Sequence, residues 1–100
     1  MIPFDTHLTV AQIERLALLS EECGEVQQVI GKILRHGYES RSPIGDSSLT
    51  NRELLETELG DLHVVGTILQ DAHDLSEDNI WAAAEKKKNR INRFLHYNKV

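Results

Sequence analysis

Residues 50–73 read TNRELLETELGDLHVVGTILQDAH, and the period of their apolar residues decides the fold. An α-helix turns about 100° per residue, so positions three, four and seven apart share a face. Leu54, Leu62, Val65, Ile68, Leu69 and Ala72 fall on one such stripe. The stretch holds no proline and no strand-like alternation. Thr50 followed by Glu53 is a capping box, which predicts a helix from about Asn51 to His73.

The same signals recur on both sides. Thr9 and Gln12 form an earlier capping box, so a first helix starts near Val10 and runs through Leu16, Leu19, Val26, Ile30 and Ile33. It stops at Gly37, with Arg35 and His36 facing the negative end of the helix dipole. Residues 38–50 (YESRSPIGDSSLT) are rich in Ser, Gly and Pro and read as a loop. Ser76 caps a third helix, with Glu77 and Asp78 in its first turn, which is expected to run to about Asn98. The first five or six residues leave room for a short turn or an arm. The expected class is all-α: one domain over residues 1–100, an antiparallel bundle of three long helices. Its core is thin enough to need a second subunit.

With 16 acidic and 11 basic residues the formal charge is −5, so duplex nucleic acid is not expected as a partner. The apolar fraction is 40% and the mean hydropathy −0.36, as in a globular protein. No stretch approaches the ~20 apolar residues of a membrane helix. No basic segment leads into an apolar run at the N-terminus. The single cysteine, Cys23, leaves no internal disulfide, and a cytoplasmic protein is expected. Cys23 reads as a small buried thiol beside Glu22, with no histidine placed to activate it.

The chemistry lies in two acidic pairs. Glu22 falls inside the first helix's apolar stripe of Leu19, Val26, Val29 and Ile33, and Glu25 sits at its edge. Glu58 and Asp61 lie in the middle of the second stripe. Members of each pair are three residues apart, and are therefore neighbours on the helix surface. Carboxylates on an apolar face need compensation. A hard divalent cation with oxygen ligands supplies it, and Mg2+ is the natural choice. Ion pairing with Lys86, Lys87 and Lys88 of the third helix is the competing account. Glu21 and Glu53 read as solvated surface charges.

These residues carry a resemblance. Glu21-Glu22-Cys23-Gly24-Glu25 is similar to the E-E-x-x-E motif of the MazG-like all-α nucleoside triphosphate pyrophosphatases, and Glu58-Leu59-Gly60-Asp61 to their E-x-x-D motif. Lys88, Asn92 and Arg93 resemble the K-x-x-x-N-R element that follows. The likeness is to compact, phage-type members and spans about Leu16 to Arg93. The stretch between Glu25 and Glu58 is long for the family, its extra residues falling in 38–50. The resemblance implies Mg2+, or Mn2+ in its place, held by Glu22, Glu25, Glu58 and Asp61. It implies hydrolysis of a (deoxy)nucleoside triphosphate between the α and β phosphorus, giving a monophosphate and pyrophosphate. Glu21 or Glu25 would take the proton of the attacking water. Lys88 and Asn92 would meet the phosphates or sugar, and Trp81 and Tyr38 are the aromatic candidates for the base. A homodimer or homotetramer is the implied working unit.

Two other readings follow from the same helices. A di-iron carboxylate bundle needs Glu-x-x-His pairs, and no glutamate here has His three residues later. A helical dimer that only binds nucleotide or regulates is the non-enzymatic alternative.

Overall fold

The computed structural model describes residues 5–41 and 48–100. Residues 42–47 of the 38–50 loop and the first four residues lie outside that range, so the expectations attached to them are not addressed by it. Among the described residues the chain is helical, with no strand: α1 is Val10–His36, α2 is Asn51–Asp71 and α3 is Glu77–Arg90. A short 3-10 helix, Ile91–Phe94, follows α3. The chain divides into two compact units, Met1–Ile68 and Leu69–Val100, parting in the last turn of α2.

In the first unit the caps behave as the sequence predicts. The Gln12 N–H donates to Thr9 Oγ1 at 3.1 Å, and the Thr9 N–H donates to Gln12 Oε1 at 2.8 Å. The Glu53 N–H donates to Thr50 Oγ1 at 3.2 Å, and the Thr50 N–H to Glu53 Oε1 at 3.0 Å. Glu53 is therefore a capping group as well as an exposed charge. These bonds hold its carboxyl below the ordinary range, the Thr50 backbone N–H foremost.

At its C-terminus α1 ends on Gly37, whose N–H donates to the Ile33 carbonyl at 2.7 Å. Gly37 has φ 89° and ψ 167°, a region that residues with a Cβ scarcely visit. Nothing lies within 4 Å of a Cβ built there, so the obstacle to substitution is the dihedral and not the space. Gly37→Ala is expected to lower unfolding stability by about 1–3 kcal/mol in urea titrations.

Past Gly37 the chain meets the start of α2. The Asn51 N–H donates to the Ser40 carbonyl and the Arg52 N–H to the Tyr38 carbonyl, both at 2.9 Å. Asn51 Nδ2 donates to the Gly37 carbonyl at 3.2 Å. Arg41 and Thr50 form an isolated antiparallel bridge. Thr50 and Asn51 are buried by these contacts. Their pairing places the end of α1 against the start of α2. Val29 and Val65 are buried, with Leu19, Val26, Ile33, Leu54 and Leu62 half-buried. Ile68 and Ala72, expected on the apolar stripe, are exposed.

In the second unit α2 stops two residues short of the expected His73. His73 takes φ 62°, and the Asp74 N–H reaches back to the Leu69 carbonyl at 3.0 Å, closing the helix end. Ser76 Oγ accepts from the Asn79 N–H at 3.2 Å and starts α3 as predicted. The third helix does not continue to Asn98. It tightens at Ile91, and Leu95 is extended at φ −106°, ψ 138°. The cause is non-local: both ends of the Asn92 amide bond the backbone of Val100, at 2.6 and 2.8 Å.

Candidate metal centre

Within the first unit the two acidic pairs converge. One carboxylate oxygen from each of Glu22, Glu58 and Asp61 lies within 4.8 Å of the others. Among the described residues no other three His, Cys, Asp or Glu side chains bring their ligand atoms so close. Glu25 completes the group, within hydrogen-bonding reach of both Glu22 and Glu58. Glu22 and Glu58 are half-buried, while Asp61 is exposed and forms the open side, in contrast to its expected place in mid-stripe.

The electrostatics are those of a site short of positive charge. The Glu58 carboxyl is pushed up to about 7, by the hydrogen bond with Glu25, then by desolvation, then by the charges of Glu25, Asp61 and Glu22. Glu22 is raised as well, first by desolvation and then by Glu25, Asp61 and Glu21. Every influence on the two carboxyls raises them, and among the described residues of the first unit none comes from a cation. Among the described residues of the first unit no lysine is paired with these acids, and Lys86, Lys87 and Lys88 lie in the second unit. Glu22 Oε2 and Glu58 Oε2 are occluded from solvent and have no hydrogen-bond partner. A buried anionic oxygen without a partner is costly. A hard cation accepting oxygen ligands fits these two orphaned atoms and the all-carboxylate donor set.

Comparison with protein-family models, with curated proteins and with solved structures finds no match to this chain. The functional reading therefore rests on the site and on its sequence motifs.

The other expected residues are placed as follows. Glu21 is exposed on α1, beside the cluster in sequence. Cys23 is exposed, against the expectation of a buried thiol, because one residue of helix turns it about 100° away from Glu22. Tyr38 is half-exposed and its ring is covered by the Arg52 guanidinium at 4.3 Å, with Arg52 also paired to Glu39 at 2.8 Å. An open base-stacking face on Tyr38 is thereby reduced. In the second unit Lys88 is exposed on α3 and Trp81 is 64% exposed. Asn92 is engaged with Val100 and does not present a free amide. Lys87 lies 5.4 Å over the Phe94 ring.

The structure also shows an open groove that sequence reasoning did not single out, at the turn between α2 and α3, lined by Asp71, His73, Asp74, Glu77 and Asp78. Two of its acids, Glu77 and Asp78, stand in the first turn of α3, where they complement the helix dipole.

Proposed function

We propose that this chain is a Mg2+-dependent nucleoside triphosphate pyrophosphohydrolase, cutting between the α and β phosphorus. The observation that carries the reading is the convergence of Glu22, Glu58 and Asp61 with two occluded, unpartnered oxygens. The resemblance of the three motifs supplies the reaction class. Glu22, Glu25, Glu58 and Asp61 hold the cation, for which Mn2+ can substitute. When bound, Mg2+ offsets phosphate charge and lowers the pKa of bound water.

The chain's own residues then have distinct tasks. Glu21 or Glu25 accepts the proton of the water that attacks the α phosphorus. The bond to the α–β bridging oxygen breaks, and pyrophosphate leaves. The paired helices α1 and α2 hold the carboxylates in place before substrate arrives, which is the form of catalysis phosphoryl transfer rewards. Lys88 supplies a fixed positive charge to a phosphate oxygen. Trp81 offers a stacking surface for the base, and Asn92 can contact substrate only by giving up Val100.

The three helices are proposed to form an antiparallel bundle completed by a second or further copies, as homodimer or homotetramer. Val10 and Leu34 are 85% and 82% exposed on α1, which leaves apolar surface to cover. No helix among the described residues is long and apolar enough to cross a membrane. A cytoplasmic location is part of the proposal.

The test is a panel of nucleoside triphosphates, including modified bases, incubated with Mg2+ and examined for monophosphate and pyrophosphate. Cleavage that is lost with EDTA is the expected result. Inertness toward the whole panel would instead favour a non-catalytic nucleotide-binding or regulatory dimer. Lys88→Ala is expected to slow turnover by tenfold or more with metal binding and helicity unchanged, read by steady-state rates and circular dichroism. An unaltered rate would return Lys88 to the ordinary solvated surface.

A further inference from the structure

The carboxylate cluster depends on how α1 lies along α2, and apolar packing sets that only loosely. Among the described residues of the first unit the buried apolar side chains are Val29 on α1 and Val65 on α2. Their burial favours contact but has no direction, so it resists a slide of one helix along the other weakly. The cluster has little slack. Two oxygens bound to one Mg2+ at about 2.1 Å stand at most about 4.2 Å apart. The oxygens of Glu22, Glu58 and Asp61 lie within 4.8 Å of one another. A slide of half a helical turn, about 2.7 Å, would part the ligands of α1 from those of α2.

Directional bonds stand at one end of the helix pair. The first turn of α2 has N–H groups with no partner in its own helix, and the chain leaving α1 serves two of them. The Ser40 carbonyl accepts from the Asn51 N–H and the Tyr38 carbonyl from the Arg52 N–H, both at 2.9 Å. The Asn51 side chain reaches in the other direction. Gly37, at φ 89° and ψ 167°, ends α1, and its carbonyl accepts from Asn51 Nδ2 at 3.2 Å. The Gly37 N–H donates to the Ile33 carbonyl, so this one residue belongs both to the end of α1 and to the Asn51 contact. Asn51 is 4% exposed, which keeps water from replacing its bond. The Arg52–Glu39 ion pair beside it is exposed and holds the helices less firmly.

We propose that Asn51 is a positioning residue for the metal centre: its amide, anchored on the Gly37 carbonyl, fixes the register of α1 on α2 that brings Glu22 and Glu25 to Glu58 and Asp61. Glu58 follows Asn51 by seven residues, two turns of α2. A rigid helix carries an axial shift of its first residue to that point undiminished. The consequence for the cation rests on the metal reading above, and the register itself does not.

The test is Asn51→Asp in the full-length protein. Aspartate keeps the shape and, at the start of a helix, suits the dipole, so α2 itself is not weakened. It has no donor for the Gly37 carbonyl. Mn2+ affinity, measured by calorimetry, is expected to fall about tenfold or more, with α-helical circular dichroism retained. Thr9→Ala removes the cap at the other end of α1 and should lower the melting temperature while leaving the affinity unchanged. A metal-free cycle reads the register directly. Glu58→Gln relieves the crowding of the carboxylates and is expected to raise the melting temperature. Sites about 10 Å apart with no shared partner ordinarily give additive effects. Coupling through the register instead makes the gain from Glu58→Gln fall to about half or less in Asn51→Asp. Should Asn51→Asp fail to fold, Asn51→Ser, whose hydroxyl falls short of the Gly37 carbonyl, decides by the same measurements. Additive melting shifts would overturn the proposal, as would an unchanged Mn2+ affinity or a Glu58→Gln that raises nothing in the wild-type background. A wild type that binds no Mn2+ would remove the metal reading, and the metal-free cycle would then decide the register alone.

Discussion

Glu58→Gln is expected to abolish Mg2+-dependent cleavage and, in the same protein without metal, to raise the melting temperature. The two effects have one cause. Glu58 sits among Glu25, Asp61 and Glu22, all of which oppose its charge, and its Oε2 is occluded without a partner. Glutamine keeps the shape, removes the charge and adds a donor amide that the neighbouring carboxylates can accept. The metal-free fold then loses a repulsion and gains a hydrogen bond, which should show as a rise of a few degrees. The cation loses a direct ligand. Changes one shell further out already cost 10–100-fold in affinity or activity, so a fall of more than about a hundredfold is expected. Glu22→Gln should behave alike, since Glu22 Oε2 is the second orphaned atom. Differential scanning calorimetry with EDTA and rate measurements with Mg2+ check both halves. Wild-type rates in both variants would remove these residues from the ligand set. A lower metal-free melting temperature would show that the carboxylates attract something the structure does not reveal as a partner.

The second large effect is a reversal of pH dependence by metal. Glu58 and Glu22 have folded-state values above the ordinary carboxyl value of 4.5, Glu58 at about 7. The folded protein therefore binds these protons more tightly than the unfolded chain does. The contribution of Glu58 to stability is complete below about pH 4.5 and is lost as the pH rises through about 7, and that of Glu22 has the same sign. Glu53 has the opposite sign, lowered by the Thr50 cap, so its contribution fades only on the acid side of 4.5 and does not offset the loss. The metal-free melting temperature should accordingly fall between about pH 4.5 and 7, by more in wild type than in Glu58→Gln. The difference between the two proteins isolates Glu58 from the histidines. Saturating Mg2+ favours the ionised carboxylates and should turn the wild-type slope into a rise with pH, while Glu58→Gln, which has lost a ligand, keeps its metal-free slope. Binding at pH 6 should release protons, measurable by calorimetry in buffers of different ionisation enthalpy. Equal slopes for wild type and variant without metal would refute the account of the cluster.

Much of this was legible in the chain itself. A capping box is complete within four residues, so Thr9–Gln12 and Thr50–Glu53 announced the helix starts, and Gly37 announced the end of α1. The acidic pairs were legible because helical spacing places Glu22 and Glu58 on apolar faces wherever the helices lie. Asp61 was less so, since its helix face was readable but its place on the open side was not.

Local sequence thus determined the helices, their caps and which residues share a face, because those depend on bonds and rotations within a few residues. Tertiary structure alone decided the rest. It brought Glu22, Glu58 and Asp61 within reach of one another. It buried Thr50 and Asn51 against residues 37–41 and tied Asn92 to Val100, ending the last helix early. It also left Cys23 on the outside of α1. Each of these depends on which surface another segment covers, and that is settled only when the segments meet.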